Sequence, residues 1–408
     1  MAELAFGLPA LGAVLVSLFR RRRGLAVVAG LGLGLAGLVA TALVVPGRQD
    51  SLLGLDVQLP APIQVVLVAT FVAAGLAVLL VPPGADRVPM LASVLTGLAA
   101  LSALALFTQP LIATLVLLLL AATQAALPAL RSFSDRVRAP AFGALLVALG
   151  ALLATEASSS GALRLAGLAL VLGVAAAIGV APYLQDLDPR EPAPASPIAW
   201  IGFLGPGLIV ILADRLAGLL PAESGPGYTA VLLGLGIFNL GLGAFGGWQS
   251  RSGADLWRYS FVADWGLVLV GFGLLDQTAA GGAYLILLSI LLLRLPLYLL
   301  ARPALIQAQA APALRPLTLL VAAALFGSAP FAGFPARLLL LRGATGAPWP
   351  LTILLVLAML SWLPQSLRLA QTLGRPTGRL ATGIAVVLLL NLALGLYPNF
   401  VLNLLENR

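Results

Sequence analysis

The chain contains no cysteine, no histidine and no lysine; all 23 of its basic residues are arginine. Without cysteine there is no thiolate-bound zinc, iron–sulfur cluster or catalytic thiol. Without histidine, histidine-ligated haem and any triad built on an imidazole base are excluded. Without lysine, no basic side chain readily loses its proton. Charge of either sign is scarce as well. Only 9% of the 408 residues are charged, against roughly a quarter in soluble domains.

What fills the chain is hydrocarbon. Sixty-one per cent of residues are hydrophobic and the mean hydropathy is +1.06. Apolar runs of about 20 residues recur, broken by Gly, Pro and Arg, which is the pattern of membrane helices. The chain reads as an all-α, polytopic integral membrane protein whose surroundings are the lipid bilayer. Its net charge of +8 would suggest nucleic acid in a soluble protein. Here the arginines lie at helix ends, so no nucleic-acid partner is expected. The opening stretch "MAELAFGLPALGAVLVSLFRRRR" carries its charges after the apolar run, and is expected to be a retained first helix rather than a cleaved signal.

About fourteen spans are predicted: 4–19, 24–45, 61–82, 89–107, 109–129, 139–155, 162–183, 196–214, 228–248, 257–275, 279–300, 316–341, 349–371 and 380–402. The arginines test that count. Alternate loops, starting with Arg20–Arg23, hold sixteen, the opposite loops hold five, and Arg294 and Arg337 lie inside spans. By the positive-inside rule, this split places both termini outside a cell inner (plasma) membrane.

Two short stretches match. "GVAPYL" (179–184) lies in the seventh span and "GSAPFA" (327–332) in the twelfth, 148 residues later. Proline removes a backbone donor and clashes with the preceding turn, so both spans are expected to break, at Gly179 and Pro182 and at Gly327 and Pro330. An odd and an even span cross in opposite directions, so the two breaks would be related by inversion. Matched breaks in inverted repeats mark ion pathways in many transporters.

Four stretches carry a family resemblance. "EPAPASPIAWIGFLGPGLIVILADR" (191–215), "YSFVADWG" (259–266), "SILLLRLPLYL" (289–299) and "GSAPFAGFPARLLLL" (327–341) resemble motifs of the antiporter-like membrane subunits of respiratory complex I, shared with Mrp sodium/proton antiporters. The chain looks most similar to the shorter, N-type subunit of NADH-quinone oxidoreductase. The resemblance implies fourteen helices, two inverted five-helix repeats, and broken seventh and twelfth helices. It places Arg294 and Arg337 where the family has lysine, or lysine or glutamate. The repeats would span 89–227 and 228–378, between N-terminal helices (1–88) and a C-terminal helix (379–408).

The departures are specific. The family's fifth-helix glutamate has no counterpart in "QPLIATLVLLLLAATQAAL" (109–127), and its seventh-helix lysine corresponds to Ala177. The histidine of the tenth-helix motif corresponds to Asp264, and that of the eleventh to Ile290. The first half has lost its titratable axis, while the second keeps two cations and one acid.

A charge at mid-bilayer costs several kcal/mol and therefore faces protein or water, with a partner. Asp264 lies six residues beyond Arg258, about 9 Å deep; Arg294 lies eight before Arg302, about 12 Å deep. Consecutive antiparallel helices thus bring opposite charges to similar depth, and a pair is expected, with snorkelling of Arg294 to the headgroups as the alternative. Arg337, just past the twelfth-span break, is expected on a hydrated axis. Asn239, midway through the ninth span, either joins that axis or makes an interhelical hydrogen bond. Glu156, Asp214, Arg215 and Asp276 read as interfacial. The glycine spacing of "GLGLGLAG" (30–37) lies inside an apolar span and reads as helix packing rather than a nucleotide loop.

The function implied by the resemblance is a membrane subunit of a complex I-like, redox-driven assembly that takes part in proton translocation, with other membrane subunits as partners. It would be at most a non-catalytic subunit, and no cofactor or metal is expected on this chain. Arginine retains the field of the family's lysines but not their switch. Two alternatives stand beside this: a transport-inactive paralogue serving as a spacer, and a secondary transporter of a small solute, which the four motifs disfavour.

Overall fold

The computed structural model describes residues 2–52, 55–80, 87–106, 116, 133–156, 159–190, 199–219, 225–307, 315–375 and 378–406. Apart from one hairpin, its regular structure is helical. Eight helices among these residues are long and apolar enough to cross a bilayer. The predicted fifth span lies outside the described residues, except for Val116.

The chain divides into two compact units. The first comprises 1–185, 191–227 and 404–408; the second comprises 186–190 and 228–403.

In the first unit the helices are α1 (Ala2–Leu18), α2 (Arg23–Leu43), α3 (Ala61–Leu80), α4 (Arg87–Leu106), α5 (Phe133–Glu156), α6 (Ser160–Ile178) and α7 (Gly205–Leu219), the last preceded by a π-helical turn at Ala199–Leu204. A small antiparallel hairpin joins α2 to α3: β1 (Gln49–Leu52) pairs with β2 (Leu55–Gln58) in the register Gln49↔Gln58. The carbonyls at the end of α2 are met by Gln64, whose Nε2 donates to Thr41 O and Val44 O at 2.8 Å each. Such end groups have no partner within their own helix. α6 starts on Ser159, whose hydroxyl accepts from Ala162 N at 3.3 Å, the usual N-cap chemistry.

The predicted seventh span runs to residue 183, but α6 stops at Ile178 and residues 179–190 continue without a helix. Gly179 takes the left-handed conformation at φ 91° and its N–H turns back onto Ala175 O and Ala176 O. That conformation favours glycine and closes helices. Pro182 and Pro189, among acidic residues, then offer no route back into a helix.

The second unit holds α8 (Gly225–Gln249), α9 (Gly253–Gly273), α10 (Gln277–Ser289), a π-helical turn (Ile290–Arg294), α11 (Leu295–Ile306), α12 (Pro316–Phe326), α13 (Gly333–Ala344), α14 (Trp349–Gln371), α15 (Gly378–Leu396) and α16 (Pro398–Glu406). The last predicted span, 380–402, is two helices, because Pro398 starts a new one and Tyr397 before it leaves the helical region. α9 begins on Ser252, which accepts from Asp255 N at 3.0 Å; α10 begins on Asp276, which accepts from Ala279 N at 2.8 Å. The continuous run 277–306 lies at the centre, 89% of its most apolar window buried in protein, whereas that share is 28% for α14 and for α15. Helices with largely exposed faces therefore flank one that is almost wholly enclosed in protein.

α8 and α9 approach closely on glycine. A Cβ at Gly243 would stand 2.6 Å from Ala263 N, and one at Gly266 would stand 2.5 Å from Leu240 N. Small residues let membrane helices gain dispersion contacts backbone to backbone. Gly243→Leu should lower stability by about 1–3 kcal/mol, the usual effect of overpacking, measured as a lower thermal midpoint of the detergent-solubilised protein. Gly32→Leu, where a Cβ would meet nothing within 4 Å, should leave the midpoint in place. Equal responses from the two would contradict the packing described.

Candidate functional site

Arg294 owes its position to an irregularity in the backbone. Pro296 has no N–H for the carbonyl of Leu292, so the helix cannot hold its regular bonding there. Instead it widens over Ile290–Arg294, and Leu295 N–H donates to Ile290 O, five residues back. Such π turns shift the facing of every later residue and recur at functional sites. Arg294 ends the turn, and its side chain is 7% exposed.

Asp264 meets it there. Arg294 Nε donates to Asp264 Oδ2 at 2.5 Å within the buried core. Among the described residues these are the two charged side chains classed as buried. Arg294 therefore turns into the protein, not along the snorkelling route to the headgroups. Its Nη2 makes a long contact, 3.4 Å, with Leu325 O, while Nη1 has no hydrogen-bond partner among the described residues.

Leu325 lies in the last turn of α12, which ends as α6 does. Gly327 is left-handed at φ 77°, and its N–H turns back onto Ala323 O and Ala324 O. Ser328 N donates to Ala323 O at 2.9 Å and Phe331 N to Ser328 O at 3.0 Å. Around Gly179, Val180 N donates to Ala175 O at 3.2 Å and Tyr183 N to Val180 O at 3.0 Å. Each of these bonds has its counterpart 148 residues away in the other break, and both X–Pro bonds, Ala181–Pro182 and Ala329–Pro330, are cis.

The breaks differ in their charges. The exposed carbonyls at a helix C-terminus carry partial negative charge and attract cations. At the end of α12 two cations converge. Arg294 reaches Leu325 O, and Arg337, the fifth residue of α13, lies with its Cζ 5.0 Å from the centre of the Phe326 ring. The Arg337 guanidinium packs against Gly327, where a Cβ would stand 3.1 Å from it, and it is close enough to Asp264 and Arg294 to interact with both charges. Arg337 is half-buried. No described residue of the first unit is both charged and buried.

Asn239 is fully buried on α8 and donates to Leu235 O of its own helix at 2.9 Å. Asp276 caps α10, as its interfacial reading allowed. The side chains of Glu156, Asp214 and Arg215 are not among those described. The sequence offered no signal for Asn391. This residue of α15 is fully buried, and its Oδ1 accepts from Ala332 N at 3.2 Å, satisfying a donor that the broken helix leaves open. The backbone of α15 closes on the same place, since a Cβ at Gly395 would stand 2.2 Å from Pro330 O.

At the arginine-rich end of this unit, Arg258 pairs with Asp186 and donates to Tyr259 Oη at 2.8 Å. Arg368 donates to Gly247 O at 3.3 Å and Ser250 O at 2.5 Å, a cation at the C-terminal end of α8.

No described protein family and no curated protein matches this sequence. Solved structures do match in fold. A chain of the membrane-bound sulfane sulfur reductase, an archaeal respiratory membrane complex, superposes with a TM-score of 0.77 at 15% identity, covering 99% of this chain and 96% of that one. A chain of respiratory complex I from Thermus thermophilus, solved with aureothin, gives 0.72 at 19% identity with 98% of each chain covered. A chain of the Mrp complex from Dietzia sp. DQ12-45-1b gives 0.75 at 16%, over 99% of this chain and 51% of that one. The protein is a multi-pass membrane protein. Its fold is that of the antiporter-like membrane subunits of complex I and Mrp-type assemblies.

Breaking one side of a buried ion pair leaves an uncompensated charge and typically destabilises by about 3–5 kcal/mol, whereas apolar replacement of both partners is often neutral. Arg294→Met alone should therefore lower the thermal midpoint of the solubilised protein strongly, and Asp264→Leu with Arg294→Met should recover most of the loss. Additive losses in the double variant would show that the two charges do not stabilise each other.

Proposed function

We propose that this chain is an antiporter-like membrane subunit of a complex I-like, redox-driven assembly of the NADH-quinone oxidoreductase type, and that it takes part in proton translocation. It acts in a plasma membrane with both termini outside and other membrane subunits as partners. About fourteen helices form it, in two inverted five-helix repeats over 89–227 and 228–378. The residue-for-residue correspondence of the two helix breaks supports the repeat, and the division of the chain between 227 and 228 supports its boundary.

One observation carries the reading: a carboxylate and two guanidiniums gather at the end of a broken helix inside an apolar bundle. Arginine does not release its proton, so of these three charges the Asp264 carboxylate is the one whose chemistry lets it take up and give back a proton. Arg294 and Arg337 set the field around it, Leu325 O and the ring of Phe326 orient them, and Asn391 positions the break. A proton arriving at Asp264 weakens its hold on Arg294 and frees the guanidinium toward the α12 carbonyls; release restores the pair.

A spacer reading is favoured by the first unit, where the helix break is lined by Ala177 and no described charged residue is buried. The two readings part at Asp264. Native purification of the tagged chain should bring further membrane subunits with it, and isolation as a lone chain would remove the assembly from the reading. In membrane vesicles energised through that assembly, Asp264→Asn should lower the number of protons moved per electron while electron transfer continues. An unchanged ratio would put the spacer reading in its place.

A further inference from the structure

At the arginine-rich end of the second unit, a cleft of about 630 Å³ lies where α9 begins and where α11 and α14 end, walled on one side by residues 188–190. Sites for small molecules run to roughly 300–1,000 Å³, so the space suffices for a ligand. Its charge is one-sided. Arg190, Arg251 and Arg368 line it against the single carboxylate of Asp188. Three positive charges less one negative leave two uncompensated.

The wall that carries Arg190 is held in place from both sides. Asp186 pairs with Arg258 of α9, and Arg302 Nε of α11 donates to Pro189 O at 3.0 Å. Beside these anchors, Arg190 N donates to Asp188 Oδ1 at 2.9 Å, which turns the chain and occupies that carboxylate. Arg368 is fixed by its bonds to Gly247 O and Ser250 O. The guanidiniums of Arg190 and Arg251, by contrast, make no hydrogen bond and no ion pair among the described residues. Two donors of fixed fork geometry thus border the cleft with nothing in the chain to receive them.

The rest of the lining is apolar. Leu256, Leu305 and Ile306 face the same space, and Ile306 is 46% exposed. Guanidiniums match a phosphate in two-pronged contacts, whereas a small hydrated anion gains nothing from hydrocarbon. An occupant that uses both parts of the lining carries a phosphate and an apolar tail. The ends of membrane helices lie where hydrocarbon gives way to headgroups, and basic pockets between such helices suit anionic lipid headgroups. A zwitterionic lipid brings an ammonium as well, which would meet the surplus positive charge.

We propose that this cleft is a binding site for one anionic phospholipid. Its phosphate is received by Arg190 and Arg251, Arg368 adds to the attractive field, and the first carbons of the acyl chains lie on Leu305 and Ile306. A lipid bound there ties residues 188–190 to the ends of α9, α11 and α14. The site lies apart from the cluster of Asp264, Arg294 and Arg337, shares no residue with it, and stands or falls independently of any proton transport by the chain.

The full chain, purified in mild detergent and stripped of lipid, can be titrated with dioleoylphosphatidylglycerol while native mass spectrometry counts the lipids bound. Arg190→Gln with Arg251→Gln should weaken the tightest binding step by about tenfold or more, as the loss of two contacts to a charged headgroup implies. Arg21→Gln with Arg22→Gln removes the same charge from the exposed turn between α1 and α2 and should leave that step in place. Equal losses from the two pairs would reduce the site to general surface charge and overturn it. Arg251→Gln alone, which breaks no polar contact among the described residues, should weaken the same step and carries the test if the double variant does not accumulate. Dioleoylphosphatidylethanolamine bound as tightly as the glycerol lipid would overturn the anionic class. Displacement of the lipid by inorganic phosphate alone would assign the arginines to a free anion and overturn the lipid.

Discussion

Hydrocarbon solvates neither a guanidinium nor a free carbonyl, and the second unit is arranged around that single fact. A broken helix leaves carbonyls open at the end of α12, and arginines at mid-depth need negative charge. Each problem is the solution to the other: Leu325 O and the face of Phe326 receive the cations that Asp264 alone does not neutralise. The glycine at the break, the π turn before Arg294 and the amide of Asn391 all bring these groups to one point. Remove the low dielectric and nothing would hold such a cluster together, since the same groups in water would simply be hydrated.

The two units show how one backbone device is used with and without charge. Around Gly179 and Gly327 the chain closes the helix with matching turn hydrogen bonds, from Gly179, Val180 and Tyr183 in one and from Gly327, Ser328 and Phe331 in the other. In the first unit the neighbouring position is Ala177, packed beneath Gly143, and the helix ends without resuming among the described residues. In the second, α13 resumes after six residues and presents Arg337 back toward the break. Geometry alone therefore confers no electrostatic function; it creates a polar end that side chains either exploit or leave bare. That asymmetry is what keeps the spacer reading in competition with the translocating one for the chain as a whole.

Much of this was legible in the amino-acid order. Apolar runs of about 20 residues must satisfy their own backbone, which helices do in lipid. The meeting of Asp264 and Arg294 followed from their distances to Arg258 and Arg302, because rise per residue converts spacing into depth. The early stop of α6 and the division at Tyr397 were less legible, since a proline or glycine in lipid-embedded helices can equally well kink or end them. Asn391 was invisible, because a polar residue in an apolar run looks the same whether it bonds to its own helix, to another, or to water.

The order of residues by itself determined the solvent, the helical class and the exclusion of thiol, imidazole and amine chemistry. These depend on composition and on spacing along a helix of known rise. The tertiary structure decided which groups share a site. Leu325 meets Arg294 across 31 residues, Ala332 meets Asn391 across 59, and Thr372 meets Trp257 across 115. Contacts at such separations are set by how helices cross, and crossing depends on the shape of every side chain between them.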